Sequence, residues 1–352
     1  MTDSSKPLKV VQWATGNIGL RSMREVIRSP DMELVGAFTY NPDKDGVDAG
    51  TLCGEAPIGI PMTTDKAKIH ALKADCVLYM PRIIDIEDLV AFAEAGTNIV
   101  SICMEMYDGA RGLGEADRQR LAEACRRGGA SVYGTGSSPG FISDIVPFAL
   151  LSSQRRVDAY IIEEFGNMSQ RDSPGMLFDQ IGFGRPMDPN AFPTPRLTSA
   201  PTAFASIARS AGWEVDEWRT VTEFAPARSH TRILAGEVQA GTVGARRLVI
   251  TGYSQGVERI GFHQYMYITQ DLDSDWDLAD TGWRVRIKGD TPLDVTFRFP
   301  VDIDGLAEYT PGLTANPPVN AIPFVCAAPA GILRTSDLPP LVPAGPEAHR
   351  AD

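Results

Sequence analysis

A chain of 352 residues, 43 % hydrophobic and with a formal net charge of −12, is long enough for about two domains and has an ordinary globular composition. No cluster of Lys and Arg interrupts the acidic balance for long, which argues against nucleic acid as a partner, and no run of about 18 apolar residues offers a membrane span. Residues 1–6 are polar without an apolar signal core, and the five scattered cysteines (Cys53, Cys76, Cys103, Cys125, Cys326) include no C-x-x-C pair, so a cytoplasmic protein with reduced, mostly buried thiols is expected.

The apolar run 8–13 reads as a short buried strand, and the amphipathic run 18–27 reads as a helix. Between them lies a turn of small residues. Strand, tight turn and helix make the first half of a dinucleotide-binding unit. The free N–H groups and positive dipole end of such a helix suit a pyrophosphate when no side chain blocks the approach. Ala14, Thr15, Gly16, Asn17, Ile18 and Gly19 are therefore the candidate phosphate turn, with Ala14 where the full G-x-G-x-x-G fingerprint has its first Gly. The spacing also suits an ordinary βα turn; its place between strand and helix near the N-terminus favours the dinucleotide.

Residues 33–40 fit a second strand. A strict NAD site wants a carboxylate at its end, for the ribose hydroxyls. The chain reads Phe38-Thr39-Tyr40-Asn41 there instead. Asn41 can hydrogen-bond a ribose or a phosphate and Lys44 can pair with a 2′-phosphate, so NADP, or dual use, is favoured over strict NAD. Asn41-Pro42-Asp43-Lys44 also reads as a plain turn, and Asp43 keeps NAD open.

Residues 45–64 look like a long Gly- and Pro-rich loop. Strands over 75–80, 98–103 and 131–133 alternate with helices over 66–73, 85–95 and 115–127, the pattern of a Rossmann-type, doubly wound parallel sheet of the α/β class. A loop over 134–141 and a helix over 142–151 follow. The pattern then changes: a strand over 157–165, a short helix around 176–181 inside the Pro-rich stretch 168–200, and a helix over 203–211. Long alternating strands at 246–253, 259–269, 283–288 and 293–299 predict a C-terminal α+β domain with a large open mixed or antiparallel sheet, a common place for a dimer interface. A helix over 319–328 is expected to return to the first domain, and 337–352 to lie extended. The expected domains are 1–145, 146–315 and 316–352.

In open α/β sheets ligands bind beyond the carboxyl ends of the strands. Those ends are Trp13-Ala14, Tyr40-Asn41, Met80-Pro81, Met104-Glu105 and Gly134–Gly136, and only Glu105 offers a carboxylate at a strand tip. A carboxylate among apolar neighbours is a candidate for acid/base work; a surface Glu at a strand end fits the sequence equally well. Of four histidines, His263 lies in an alternating run with Tyr265 and Tyr267, where a structural role is the commoner one and a pocket wall the functional one. No G-x-S-x-G, H-E-x-x-H or P-loop pattern occurs.

Val11-Gln12-Trp13-Ala14-Thr15-Gly16-Asn17-Ile18-Gly19 resembles the start of proteins with a dihydrodipicolinate-reductase-like N-terminal domain. Met104-Glu105, Gly134-Thr135-Gly136-Ser137-Ser138-Pro139-Gly140-Phe141, Val319-Asn320-Ala321-Ile322-Pro323 and Ala327-Ala328-Pro329 narrow the resemblance to the branch of 2,4-diaminopentanoate dehydrogenase and the native amine dehydrogenases of bacteria. That resemblance implies a Rossmann domain, a C-terminal α/β domain and a homodimer. It implies NAD(P)H-dependent reductive amination of a ketone or aldehyde by ammonia, and the reverse oxidative deamination. It puts the catalytic Glu at Glu105, adds Pro81, Gly136 and Asn320 to the cofactor contacts, and lines the substrate pocket with Phe141, Asn167, Phe178 and His263. Ser138 departs from the Asn that relatives often have before Pro-Gly-Phe. No His-His pair exists, which argues against dihydrodipicolinate reductase activity itself. Other readings are a diaminopentanoate-type or related oxidoreductase on another substrate, and a non-catalytic nucleotide-binding sensor.

Overall fold

The computed structural model describes residues 6–188 and 200–343. They fall into two compact units: the described residues up to Ile145 together with those from Pro311 on, and Val146–Thr310. The end of the Pro-rich stretch, 189–199, and the last part of the expected extended tail, 344–352, lie outside the described residues.

In the first unit, β1 (Leu8–Trp13), β2 (Met32–Phe38), β3 (Met62–Thr63), β4 (Cys76–Tyr79), β5 (Asn98–Ser101) and β6 (Ser131–Gly134) form a sheet in the order β6-β5-β4-β1-β2-β3. Every pairing is parallel. Such strands are covered on both faces, and their side chains divide between two cores. Val10 and Leu78 pack with Met23 and Val26 of the helix Asn17–Arg28; Val11, Trp13 and Tyr79 pack with Leu89, Phe92 and Leu121 on the other face. Chain order reverses direction between β1 and β4, so the carboxyl ends of these two strands flank the switch point where ligands of open α/β sheets bind.

The stretch 45–64 is more ordered than its composition predicts: it holds the helix Ala49–Cys53 and β3. Asp48 explains this. Its carboxylate accepts from Thr51 N at the helix start and from Ile58 N and Gly59 N across the loop, at 2.8–3.2 Å.

The second unit contains β7 (Val157–Asn167), the helix Ala200–Ser210, β8 (Glu217–Pro226), the hairpin β9 (Thr231–Ile233) and β10 (Gly236–Val238), β11 (Val243–Ser254), β12 (Val257–Tyr267), β13 (Gly282–Gly289) and β14 (Leu293–Arg298). Six of these strands form a mixed sheet, β14-β13-β7-β12-β11-β8, in which only β7 and β12 run parallel. Phe262 of β12 turns to one face and stacks on Phe204 of the helix Ala200–Ser210, with ring centroids 4.5 Å apart.

The chain then re-enters the first unit. The expected helix at 319–328 begins earlier, at Gly312, and runs to Ala327 through Pro317, Pro318 and Pro323. Ala321, Ile322 and Val325 are fully buried against the sheet, and this packing outweighs the backbone bonds the prolines remove. β15 (Gly331–Ile332) adds a last parallel strand beside β6. The helix expected over 142–151 is present, π-helical up to Ile145 and α-helical from Val146 to Leu151; only Ser138, Pro139 and Gly140 before it leave helical backbone. Among the described residues no helix is long and apolar enough to cross a membrane.

Candidate active site

The turn after β1 is built around a strained residue. Ala14 holds φ at +74°, a conformation in which Gly is usual, and this is the position of the missing first Gly. Buried bonds hold it there: its N–H donates to the Phe38 carbonyl (3.0 Å) and its carbonyl accepts from Gln12 Nε2 (2.9 Å). The two glycines answer different demands. A Cβ at Gly19 would collide with the Ala14 carbonyl oxygen, so Gly19 permits the close approach of helix to strand. A Cβ at Gly16, the N-cap of the helix Asn17–Arg28, would meet nothing within 4 Å. The first-turn N–H groups thus face an open approach, the cradle a pyrophosphate needs.

The segment after β2 is fastened to this turn. Lys44 Nζ donates to the Thr15 carbonyl at 2.7 Å, and the Thr15 hydroxyl donates to Thr39 Oγ1 at 3.3 Å. Asn41 Oδ1 accepts from Asp43 N (3.0 Å), so the side chain of Asn41 builds its own turn, while Lys44 brings a positive charge to the lip of the cradle. Exposed Asn17 and half-buried Ile18 open the helix, Asn17 accepting from Arg21 Nε at 3.3 Å.

Glu105 lies in a tight turn, Met104–Met106, just past β5. It is half-buried, and its carboxylate makes no hydrogen bond or ion pair among the described residues. Its backbone is fixed from several sides. Gly112 N donates to the Glu105 carbonyl (3.1 Å), and a Cβ at Gly112 would lie 2.5 Å from Glu105 Cα. A Cβ at Gly134 would strike the Met106 carbonyl. Asp108 (φ 51°) and Ala110 (φ 57°) follow in left-handed conformations that persist only where surroundings impose them. Burial pushes the neighbouring Cys103 thiol up to about 11; the Ser101 hydroxyl opposes this and the Glu105 charge adds to it. The Cys103 thiol in turn reaches the carbonyl of buried Pro81 (3.3 Å), joining the ends of β4 and β5.

The loop after β6 packs beside this segment. Phe141 N donates to the Gly136 carbonyl (2.7 Å), and Ser137 Oγ bonds Thr314 Oγ1 (2.7 Å) near the start of the helix Gly312–Ala327. Phe141 is half-buried in this first unit. Thr314 is the residue of that helix that bonds the loop. Asn320 lies six residues further on and lines a cavity of about 210 Å³ with Glu25, Ser29 and Asp31. Those residues mark the far end of the helix that opens at the phosphate turn, about 15 Å away at 1.5 Å per residue. Thr314, Tyr107 and Gly112 escaped the sequence reading, since nothing local marks them.

The other three pocket candidates belong to the second unit. Asn167 builds a turn: its Oδ1 accepts from Ser169 N and its own N–H donates to Thr281 Oγ1, both at 3.0 Å. Phe178 covers the β9–β10 hairpin, its ring 3.2 Å from where a Cβ at Gly236 would sit. His263 pairs across the sheet with Val249 and Glu163, on the face opposite Phe262 and its helix. Burial lowers its pKa, and the Glu163 charge opposes that shift. Glu163 is itself paired with Arg284 at 2.5 Å.

Residues 200–349 match the family described as the 2,4-diaminopentanoate dehydrogenase C-terminal domain. The chain is 28 % identical to an amine dehydrogenase of Streptomyces virginiae over 94 % of its own length and 96 % of that protein's. It is 27 % identical to a 4-hydroxy-tetrahydrodipicolinate reductase of Synechococcus elongatus over 47 % of its own length and 60 % of that protein's. Its fold is that of the solved amine dehydrogenase from Mycobacterium smegmatis, with a TM-score of 0.71 at 20 % identity, covering 97 % of this chain and 98 % of that one. The chain is therefore an NAD(P)-dependent oxidoreductase whose C-terminal part matches the 2,4-diaminopentanoate dehydrogenase model and whose full length is similar to an amine dehydrogenase.

Proposed function

We propose that the protein is an amine dehydrogenase that aminates a ketone or aldehyde with ammonia at the expense of NAD(P)H, and runs the reverse deamination. The observation that carries this reading is the free carboxylate of Glu105: half-buried, without a hydrogen bond or ion pair among the described residues, and carried by a fixed backbone past β5. Addition of ammonia to a carbonyl and loss of water from the carbinolamine each require a proton to move, which a carboxylate can shuttle. The same charge stabilises the iminium that results. Ala14–Gly19 hold the pyrophosphate of the cofactor, with Pro81 and Gly136 beside it; Phe141, Asn167, Phe178 and His263 are the proposed substrate contacts. The nicotinamide supplies the hydride. A panel of ketones and aldehydes with ammonia, read by NAD(P)H absorbance, tests the reading. Turnover confined to substrates that carry a second amine and a carboxylate would favour a diaminopentanoate-type enzyme, and cofactor binding without turnover on any of them would favour a sensor.

NADP is the favoured cofactor. No carboxylate closes β2, and Lys44 presents its ammonium at the Thr15 carbonyl, where a 2′-phosphate would gain a charge-assisted bond. Lys44→Ala is expected to weaken NADPH binding about tenfold or more and NADH binding less than threefold, since a hydrogen bond to a charged group contributes about 1.5–3 kcal/mol. Fluorescence titration with both cofactors checks this; equal losses would remove Lys44 from the 2′-phosphate site.

The protein acts as a homodimer whose two-fold interface comes from the strands between 246 and 299. The sheet face carrying His263 supports this. Val221 of β8 is 51 % exposed there, and charges of both signs alternate nearby, as in Arg247–Glu223 (2.5 Å). A surface with both signs is self-complementary under two-fold symmetry. Light scattering at micromolar concentration should give twice the mass of one chain; a monomer would contradict the assignment.

A further inference from the structure

We infer that Tyr107 is a positioning residue whose buried hydroxyl sets the spacing between the Glu105 turn and the loop that carries Gly136 and Phe141. This rests on the reading of Glu105 as the acid/base group.

The phenol is 3 % exposed and lies wholly within the first unit. Its hydroxyl donates to the Ile102 carbonyl at 3.4 Å, closing residues 102–107 into a small loop with Glu105 near its tip. Inside that loop Met106 N donates to the Cys103 carbonyl at 3.0 Å. The same phenol oxygen stands where a side chain at residue 136 would go: a Cβ there would lie 2.6 Å from it. One oxygen therefore bonds the segment that aims the carboxylate and occupies the space a side chain at residue 136, just past β6, would need. The Tyr107 backbone is held as well, because Gly134 has no room for a Cβ against Met106 and Tyr107 N. With its main chain fixed and its ring buried, the phenol cannot swing away from Gly136 cheaply. Anything that enlarges residue 136 is transmitted to Ile102 and so to Glu105.

The test is a pair of substitutions and their combination, assayed with the best carbonyl of the panel at saturating ammonia. Tyr107→Phe removes the oxygen and adds no atom, so the fold stays. It should lower kcat about three- to tenfold, the equivalent of one neutral hydrogen bond, with cofactor Kd unchanged within twofold. Gly136→Ala should lower kcat about a hundredfold by displacing the turn, the scale expected of a misplacement of about 1 Å. Combining the two removes the colliding oxygen and should recover at least tenfold over Gly136→Ala alone. Amide exchange over residues 102–112 should quicken in Gly136→Ala and slow again in the double variant, a readout that needs no substrate. A double variant no better than Gly136→Ala, or a Tyr107→Phe enzyme with parental kcat, overturns the proposal; should Gly136→Ala fail to fold, the Tyr107→Phe result alone decides. Glu105→Gln separates the two ideas. If it abolishes turnover while the double variant shows no recovery, only Tyr107 loses its role; if it keeps parental turnover, the acid/base reading and this inference both fall.

Discussion

Gly16→Val is expected to weaken NADPH and NADH binding by more than about a hundredfold while leaving the fold intact. The second half follows from geometry. Gly16 holds φ −71° and ψ −176°, extended backbone open to any residue, and a Cβ there meets nothing within 4 Å. Valine is a poorer N-cap than Gly, a penalty of about 1 kcal/mol against a domain's total stability. The first half follows from what that open space is for. Branched methyls at the N-cap screen the first-turn N–H groups from an anion. Charge-assisted bonds contribute about 1.5–3 kcal/mol each, so losing two of them amounts to more than two orders of magnitude in affinity. Gly19→Ala makes the contrast: its Cβ collides with the Ala14 carbonyl, so it should lower Tm as well as affinity. A Gly16→Val protein that binds either cofactor as the parent does would dismiss the turn as a phosphate site.

That turn was legible in the sequence because its causes are local. An apolar run followed at once by small residues and an amphipathic run leaves few alternatives, and β1 and the helix Asn17–Arg28 lie within a residue of where the periodicity puts them. Even the missing fingerprint Gly has a local account, since Ala14 tolerates its left-handed backbone with bonds from Gln12 and to Phe38. Elements set by distant partners were not legible. Pro317 and Pro318 read as breakers, yet the helix Gly312–Ala327 runs through them because its buried face rests on the sheet. The earlier start places Thr314 on that helix, where it bonds Ser137. The helix Ala49–Cys53 depends on Asp48 bonding residues up to 11 positions away, which composition does not record. In the second unit the strands are visible as alternating runs, but the one parallel pairing, β7 with β12, brings together segments about a hundred residues apart. Asn167 and Phe178, which the family resemblance implies as pocket walls, each also have a local packing task.

Glu105→Gln should still bind NAD(P)H and lose most reductive amination. Gln keeps the size and hydrogen-bonding reach of Glu and removes only its charge and basicity. The backbone that carries it is set by Gly112, Gly134 and the Tyr107 hydroxyl, none of which hydrogen-bonds the carboxylate, so the turn should stay in place. Cofactor affinity should therefore stay within about twofold, because the phosphate turn at the end of β1 shares no bond with Glu105. General acid–base work contributes a factor of about 10²–10⁴, and loss of the counter-charge to the iminium adds to it, so kcat should fall by at least that factor. A Glu at a strand end with no task predicts less than about threefold, since surface substitutions away from special features rarely exceed about 0.5 kcal/mol. The two expectations differ by well over tenfold, and steady-state rates at saturating ammonia separate them. There is a second signature. Because Glu105 adds to the upward shift of Cys103, its neutralisation should lower the thiol's pKa from the value of about 11, and thiol titration reads this without any substrate. A Gln variant with near-parental turnover and a lowered thiol pKa would mean that the carboxylate is present and charged but not part of the chemistry, and the amine dehydrogenase reading would lose its main chemical support.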